Sequence, residues 1–328
     1  MSRIVFPPEW APHRAIWTAW PWDAAEWSGD VGPARAEIAA MILALSEGER
    51  VRVLARAGEP LESARAALGA AAEVIEAEYG DTWLRDTGPI FVRADGAREA
   101  RGFRVNGWGG KYVMAGDERV AAQIAAWAET PLTPHDFVLE GGAIDGDGEG
   151  TVLTTRQCLL NANRNGWAES DAEAALGAAL GVRKLIWLEA GLANDHTDGH
   201  VDNIARFVAP GRVVCMAPVK NDPNAATLDA IARTLEAATD AQGRRLEVIR
   251  IPSPGRVIGA DGEIAPASHM NFIIGDRRVL VPIYSEAGEE AVKALAPLFP
   301  GREVLGLSAR AILAGGGAFH CITQQEPA

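Results

Sequence analysis

Six stretches of the chain, at residues 33–47, 61–71, 117–128, 169–180, 225–238 and 286–298, place apolar residues at helical spacing on an alanine-rich background. Each predicts an amphipathic helix with one face turned to a core. Between them run short β-branched and apolar segments bounded by Gly, Asp or Pro: VRVLA at 51–55, PIFVR at 89–93, RVVCM at 212–216, LEVIRI at 246–251 and RVLVPIY at 278–284. These predict strands. DGDGEG at 145–150, before TVLTT, and APG at 209–211, between IARFV and RVVCM, predict hairpin turns.

The helices return at intervals of roughly 50 residues with strand pairs between them, a spacing that suggests a repeated mixed unit more than a run of simple βαβ crossovers. The expectation is one α/β domain over residues 1–328, because no long polar Pro/Ser-rich stretch marks a linker.

Composition narrows the function. The formal net charge is −13, from 44 acidic and 31 basic residues, and the basic residues are scattered. Nucleic acid is therefore not an expected partner, and the acidic surface, besides aiding solubility, favours a cationic ligand. Three cysteines, Cys158, Cys215 and Cys321, stand far apart. That number and spacing cannot build a disulfide framework or a four-thiolate zinc site, so reduced thiols and a cytoplasmic location are expected. The opening MSRIVFPPEW has no apolar signal core, and no apolar run approaches a membrane span, so no membrane association is expected.

Four segments place ionisable residues where a core would not tolerate them: WLRDTGP from Trp83, EGGAID from Glu140, NDHTDGHVDN from Asn194 and GGGAFHCITQQEP from Gly315. In the last, Cys321 follows His320 and three glycines that let the backbone approach a ligand. A thiolate is a strong nucleophile when a nearby base or positive charge forms it; a buried cysteine in a final strand is the ordinary alternative. Two readings compete for HTDGHVDN. His196 and His200, four apart, suit zinc on a helix with Asp198 or Asp202, but Gly199 and Val201 disfavour a helix there. Alternatively His200 and Asp202 share one face of a strand, the histidine as acid and base and the aspartate binding a cation. Asp86 is either a turn or cap carboxylate or a ligand, and Glu140 sits half buried and needs a partner, which a histidine would satisfy.

Taken in order, PPEWAPHRAIWTAWP, WLRDTGPIFV, NGWGGKY, EGGAIDGDGEGTVLTT, TDGHVDN and HCITQQEP resemble the agmatine deiminases and the wider bacterial-type peptidylarginine deiminase family. The resemblance covers nearly the whole chain. It implies a pentein fold, a propeller of five ββαβ-type units around a pseudo-fivefold axis. It implies hydrolysis of agmatine to N-carbamoylputrescine and ammonia, in putrescine biosynthesis or arginine catabolism, without metal or organic cofactor. Carried over by residue, it makes Cys321 the nucleophile, His200 the acid and base, and Glu140 the group that orients the imidazole. Asp86 and Asp202 become the carboxylates that clamp the guanidinium, and Trp83 the aromatic that packs on it. Asn271 would stand in the pocket wall and His196 toward the substrate tail; Trp108 and Lys111, beside the glycines of NGWGGKY, are candidates for the wall at that end, with turn packing the ordinary alternative. A homodimer is also implied. Two positions depart from the pattern: Ala318 stands where Asn is frequent, and His196 where an acid is common. Rival readings are a deiminase of free or peptidyl arginine, a metal-dependent hydrolase using His196 and His200, and a non-catalytic pentein binding protein.

Overall fold

The computed structural model describes residues 3–259 and 261–328. Its strands form five small sheets, each built on the same plan. An inner strand pairs antiparallel with the next, which pairs parallel with a third after a helical crossover. In the second module these strands are Ile90–Ala94, Ala97–Arg104 and Leu132–Val138, with helix Asp117–Trp127 in the crossover. The third uses Asp145–Gly146, Thr151–Thr155 and Lys184–Leu188 with helix Glu169–Leu180. The fourth uses Ala205–Ala209, Arg212–Ala217 and Glu247–Pro252 with helix Ala225–Ala237. The fifth uses Ile273–Ile274, Arg278–Ile283 and Glu303–Ser308 with helix Gly288–Leu295.

The first module joins the two ends of the sequence. Its inner strand is Thr323–Pro327, antiparallel to His13–Ala19, and helix Gly32–Ser46 then leads to the parallel strand Val51–Ala55. Helix Glu59–Leu68 and strand Glu73–Glu76 extend that sheet by one strand. Strand Ile4–Val5 likewise caps the second module.

Apolar clusters fill the seams between neighbours. One joins Trp17 and Leu54 of the first module to Phe91 and Ile124 of the second, and another joins Ile90 and Val92 to Leu176 and Leu180 of the third. A third runs from Leu153 and Ile186 through Val213 and Leu235 to Val279 and Leu295. Helix Gly32–Ser46 packs on strands Arg278–Ile283 and Glu303–Ser308, with Ile38, Met41 and Ile42 in the cluster that holds Ile273 and Leu280. Each module thus contacts the next and the fifth returns to the first. The ring is closed, as the expected five-unit α/β propeller requires.

The helices follow the apolar periodicity to within a few residues, and both hairpins fall where Gly and Asp placed them. Residues 200–202 do not form the strand expected there. His200 precedes a short 3-10 turn at Val201–Asn203, after Asp198 and Gly199 with φ of 64° and 84°. Among the described residues no helix is long and apolar enough to cross a membrane.

Candidate active site

Every module contributes to the site at the same place, the segment that enters its inner strand. Trp83 and Asp86 stand at and within the short helix Leu84–Thr87, before Ile90–Ala94. Glu140 precedes a 3-10 turn and then Asp145–Gly146. His200 and Asp202 precede Ala205–Ala209, Asn271 precedes Ile273–Ile274, and Cys321 precedes Thr323–Pro327. Residues scattered over the sequence therefore converge because the five repeats converge on one axis.

The convergence is tight. A Cβ placed on Gly142 would lie 2.5 Å from His200 Nδ1 and 3.0 Å from both Asp202 Oδ2 and Asp86 Oδ1, so only glycine leaves these three side chains room. Cys321 Sγ is 3.6 Å from Asp202 Oδ2. Gly317 allows a similar approach on the other side, since its Cβ would meet Trp83 at 2.7 Å and Cys321 Sγ at 3.1 Å. The glycine run before Cys321 thus admits tryptophan as well as ligand: Gly315 packs beneath Trp27 and Trp83.

Each carboxylate has its own support. The Trp108 indole N–H donates to Asp86 Oδ2 at 2.8 Å and the Gly142 N–H donates to Oδ1 at 2.9 Å. Asp202 Oδ2 lies 2.8 Å from His320 Nδ1, while its Oδ1, buried, has no partner among the described residues. His320 Nε2 in turn lies 3.0 Å from Glu9 Oε2, and Glu9 is paired with the buried Arg206.

Glu140 departs from expectation. Its nearest cation is Arg164, whose Nε donates to Oε1 at 2.8 Å; His200 Nε2 stands 3.8 Å from Oε2, an ion-pair distance and not a hydrogen bond. Cys158 Sγ is 3.9 Å from the same oxygen. His200 Nδ1 faces Asp86 Oδ2 at 3.7 Å, and neither ring nitrogen is hydrogen-bonded among the described residues.

Asn271 also differs from its expected place. It lies under the nucleophile: its amide donates to Cys321 Sγ at 3.0 Å and to Asn203 Oδ1 at 2.9 Å, and its Oδ1 accepts from the Cys321 N–H at 3.2 Å. Asn271 is fully buried and does not line the cavity.

That cavity, of about 170 Å³, is lined by Trp83, Asp86, Trp108, His196 and Cys321 among others. Trp83 stacks on Trp27 with centroids 5.8 Å apart. Trp108 therefore serves both the wall and Asp86. Lys111 does not reach the cavity, because its ammonium is held by the His196 carbonyl at 2.8 Å and by Asp198 at 2.6 Å. His196 stacks on Tyr112, whose hydroxyl is 3.2 Å from Nδ1. No potential metal-ligand cluster among the described residues includes both His196 and His200, so the zinc reading that pairs them has no geometry behind it; His200 instead groups with Glu140 and Cys158. Ala318 is buried and its methyl side chain carries no polar group, but its backbone hydrogen-bonds the Cys321 sulfur.

The electrostatics follow from this crowding. Burial, then the Asp202 and Asp86 charges, push the Cys321 thiol well above its ordinary value of 9.0. Burial also raises Asp86, with Asp202 and Glu140 adding to it against His200 and the Gly142 N–H. For His200 burial opposes the charge, but Asp86 and then the contacts of Cys158 and Glu140 outweigh it and raise the imidazole well above 6.5. Burial works against the Asp202 carboxylate too, yet His320 overcomes it and the pKa is lowered. These shifts favour a neutral Cys321 thiol, a protonated His200 and an ionised Asp202, a setting in which a bound cation would stabilise further negative charge.

Sequence reasoning missed Glu9, Cys158, Arg164, Asn203 and Tyr112, and saw His320 only as a neighbour of the cysteine. Their roles depend on partners elsewhere in the chain, which no local spacing displays.

Residues 5–327 match the sequence signature of the Porphyromonas-type peptidyl-arginine deiminases. An agmatine deiminase of Stutzerimonas stutzeri is 40% identical over 98% of this chain and 95% of that protein. The structure of an agmatine deiminase of Enterococcus faecalis superposes with a TM-score of 0.95 at 32% identity, covering 99% of this chain and 96% of that one. A cysteine-to-serine agmatine deiminase of C. jejuni, with substrate bound, gives 0.92 at 26% identity over 100% and 97% of the two chains. The closed ring of five ββαβ modules, the full-length match and the shared segments lead to one conclusion: the chain belongs to the Porphyromonas-type peptidyl-arginine deiminase family, where it groups with the agmatine deiminases.

Proposed function

We propose that the protein hydrolyses the guanidinium of agmatine, giving N-carbamoylputrescine and ammonia, with Cys321 as nucleophile and His200 as acid and base. The observation that carries this reading is the meeting of a thiol, an imidazolium and two carboxylates: Cys321 and Asp86 line a small cavity, and behind them Asp202, fully buried, lies 3.6 Å from Cys321 Sγ while buried His200 adjoins Asp86. A guanidinium is planar, permanently charged and forked, and carboxylates grip its edges. The unpartnered Asp202 Oδ1 offers one such acceptor, and Asp86, oriented by Trp108, the other.

Binding this cation offsets the two acids and lowers the cost of the thiolate, whose proton leaves to solvent. The sulfur then attacks the guanidinium carbon. His200 gives its proton to the departing nitrogen, the C–N bond breaks, ammonia leaves and an amidino-thioether remains on Cys321. Neutral His200 next takes a proton from water as the oxygen adds to the same carbon. Collapse breaks the C–S bond, the hydroxyl proton passes to the sulfur, and the ureido product departs. Holding the carbon against the sulfur supplies roughly 7–11 kcal/mol of the lowered barrier. Asn271 positions the sulfur and Glu140, braced by Arg164, flanks the imidazole.

The lining of the cavity favours agmatine over arginine. It includes the carboxylates of Glu26 and Asp86 but no lysine or arginine that could receive an α-carboxylate. Ammonia release measured in parallel on agmatine, arginine and arginyl peptides tests the reading. Turnover is expected with agmatine and a ureido product; equal or better turnover of arginine, or none of any guanidine, overturns it.

A further inference from the structure

The outer end of the cavity contains one acid whose purpose the chemistry above leaves open. Glu26 lines the same cavity as Cys321, yet it sits at the exposed rim while Cys321, Asp86 and Trp83 lie buried at the inner end. Nearby acids are engaged: Asp23 accepts from the Ala25 N–H, Glu59 pairs with Arg35 and Asp81 accepts from Trp27. Among the described residues the Glu26 carboxylate has no such partner.

Its placement is rigid for a rim residue. Glu26 belongs to the 3-10 turn Ala24–Trp27, which Asp23 caps and which ends at Ser28 with φ of 54°. Trp27, the next residue, is buried, donates to Asp81 at 3.2 Å and stacks on Trp83 of the cavity wall. The rim backbone is thereby tied to the wall, which leaves Glu26 beside the opening without a hydrogen-bond or ion-pair partner among the described residues. Across the opening, the cavity that adjoins this one at Tyr112, His196, Ala314 and Gly316 carries the acids Asp261 and Glu263, but neither lines the cavity that holds Cys321. His196 is engaged with Tyr112, and Lys111 is held by Asp198.

We infer that Glu26 receives the terminal ammonium of the substrate and so selects guanidines with a cationic tail, an inference that rests on the deiminase reading of the inner site. A guanidinium held at Asp86 and Asp202 directs its alkyl chain past Trp83 toward the rim, where a free carboxylate favours an amine and repels a carboxylate. Because the rim is exposed, the contact acts on binding and is screened by salt.

The test compares agmatine with n-butylguanidine, which keeps the guanidinium and chain but ends in a methyl group, using wild type and Glu26→Gln. For the variant KM with agmatine should rise roughly three- to fivefold with kcat unchanged, while KM with n-butylguanidine stays constant. Raising the salt concentration should narrow the agmatine difference. Glu26→Lys should raise KM for agmatine further without changing n-butylguanidine, and circular dichroism checks that each variant is folded. An equal change for both guanidines, or no change for either, overturns the assignment of Glu26. Absence of ammonia release from both guanidines by wild type would instead overturn the deiminase reading itself.

Discussion

His320 Nδ1 lies 2.8 Å from Asp202 Oδ2, so the residue beside the nucleophile in sequence is the one that fixes and charges a carboxylate of another module. Replacing it should act through Asp202. With His320→Gln the lowered pKa of Asp202 rises, and the carboxylate, whose charged form exists only above that pKa, is lost at higher pH than before. The acid limb of kcat/KM should move upward and kcat/KM at neutral pH fall by roughly tenfold or more, since hydrogen bonds to charged groups contribute about 1.5–3 kcal/mol. A pH–rate profile of folded variant reads this directly; an unmoved acid limb contradicts the role.

The free thiol should be sluggish. Burial with Asp202 and Asp86 raises Cys321 well above 9.0, so its alkylation by iodoacetamide should keep rising with pH through the ordinary thiol range instead of levelling near neutrality. A small guanidinium salt at non-blocking concentration should accelerate the reaction. A plateau near pH 7, or a rate indifferent to guanidinium, counts against the charge balance described here.

Arg164 is a structural cation for Glu140, both side chains being almost fully buried at a separation of 2.8 Å. Arg164→Ala leaves the buried Glu140 carboxylate only the more distant His200 as a cation, removes the partner of Asp198 as well, and should lower unfolding free energy by about 3–5 kcal/mol. Urea denaturation measures it, and a loss below about 1 kcal/mol would show that solvent reaches the pair.

The local sequence displayed the helices because each buries a regular apolar stripe, and it displayed the reactive residues because Cys321, His200, Asp86 and Asp202 occupy segments too polar for core. It did not display the closure of the ring. Thr323–Pro327 reads TQQEP, a polar stretch ending in proline, yet it is an inner strand because its backbone pairs with His13–Ala19 at the other end of the chain, where Trp17 also donates to Glu326 at 3.0 Å across 309 residues. The partners of the site were hidden for the same reason: Glu9 meets His320 across 311 residues and Arg164 meets Glu140 across 24. His200 and Asp202 both approach Gly142, but from a short turn instead of a strand, since alternation alone cannot distinguish the two. The resemblance named the residues that meet; only the fold revealed what holds them.

The proposed steps route nothing through a metal. His196 bonds Tyr112 and shares no potential ligand cluster with His200 among the described residues, so prolonged treatment with EDTA should leave ammonia release from agmatine intact. Loss of activity that zinc or another divalent ion restores would revive the hydrolase alternative.

The central claim is that Cys321 carries the substrate carbon between the two half-reactions. Acid quenching during turnover of agmatine, followed by peptide mass spectrometry, measures this most directly. The account predicts an amidino adduct on the peptide containing Cys321, formed within one turnover and absent from Cys321→Ser; turnover without that adduct, or an adduct on Cys158 alone, would contradict it.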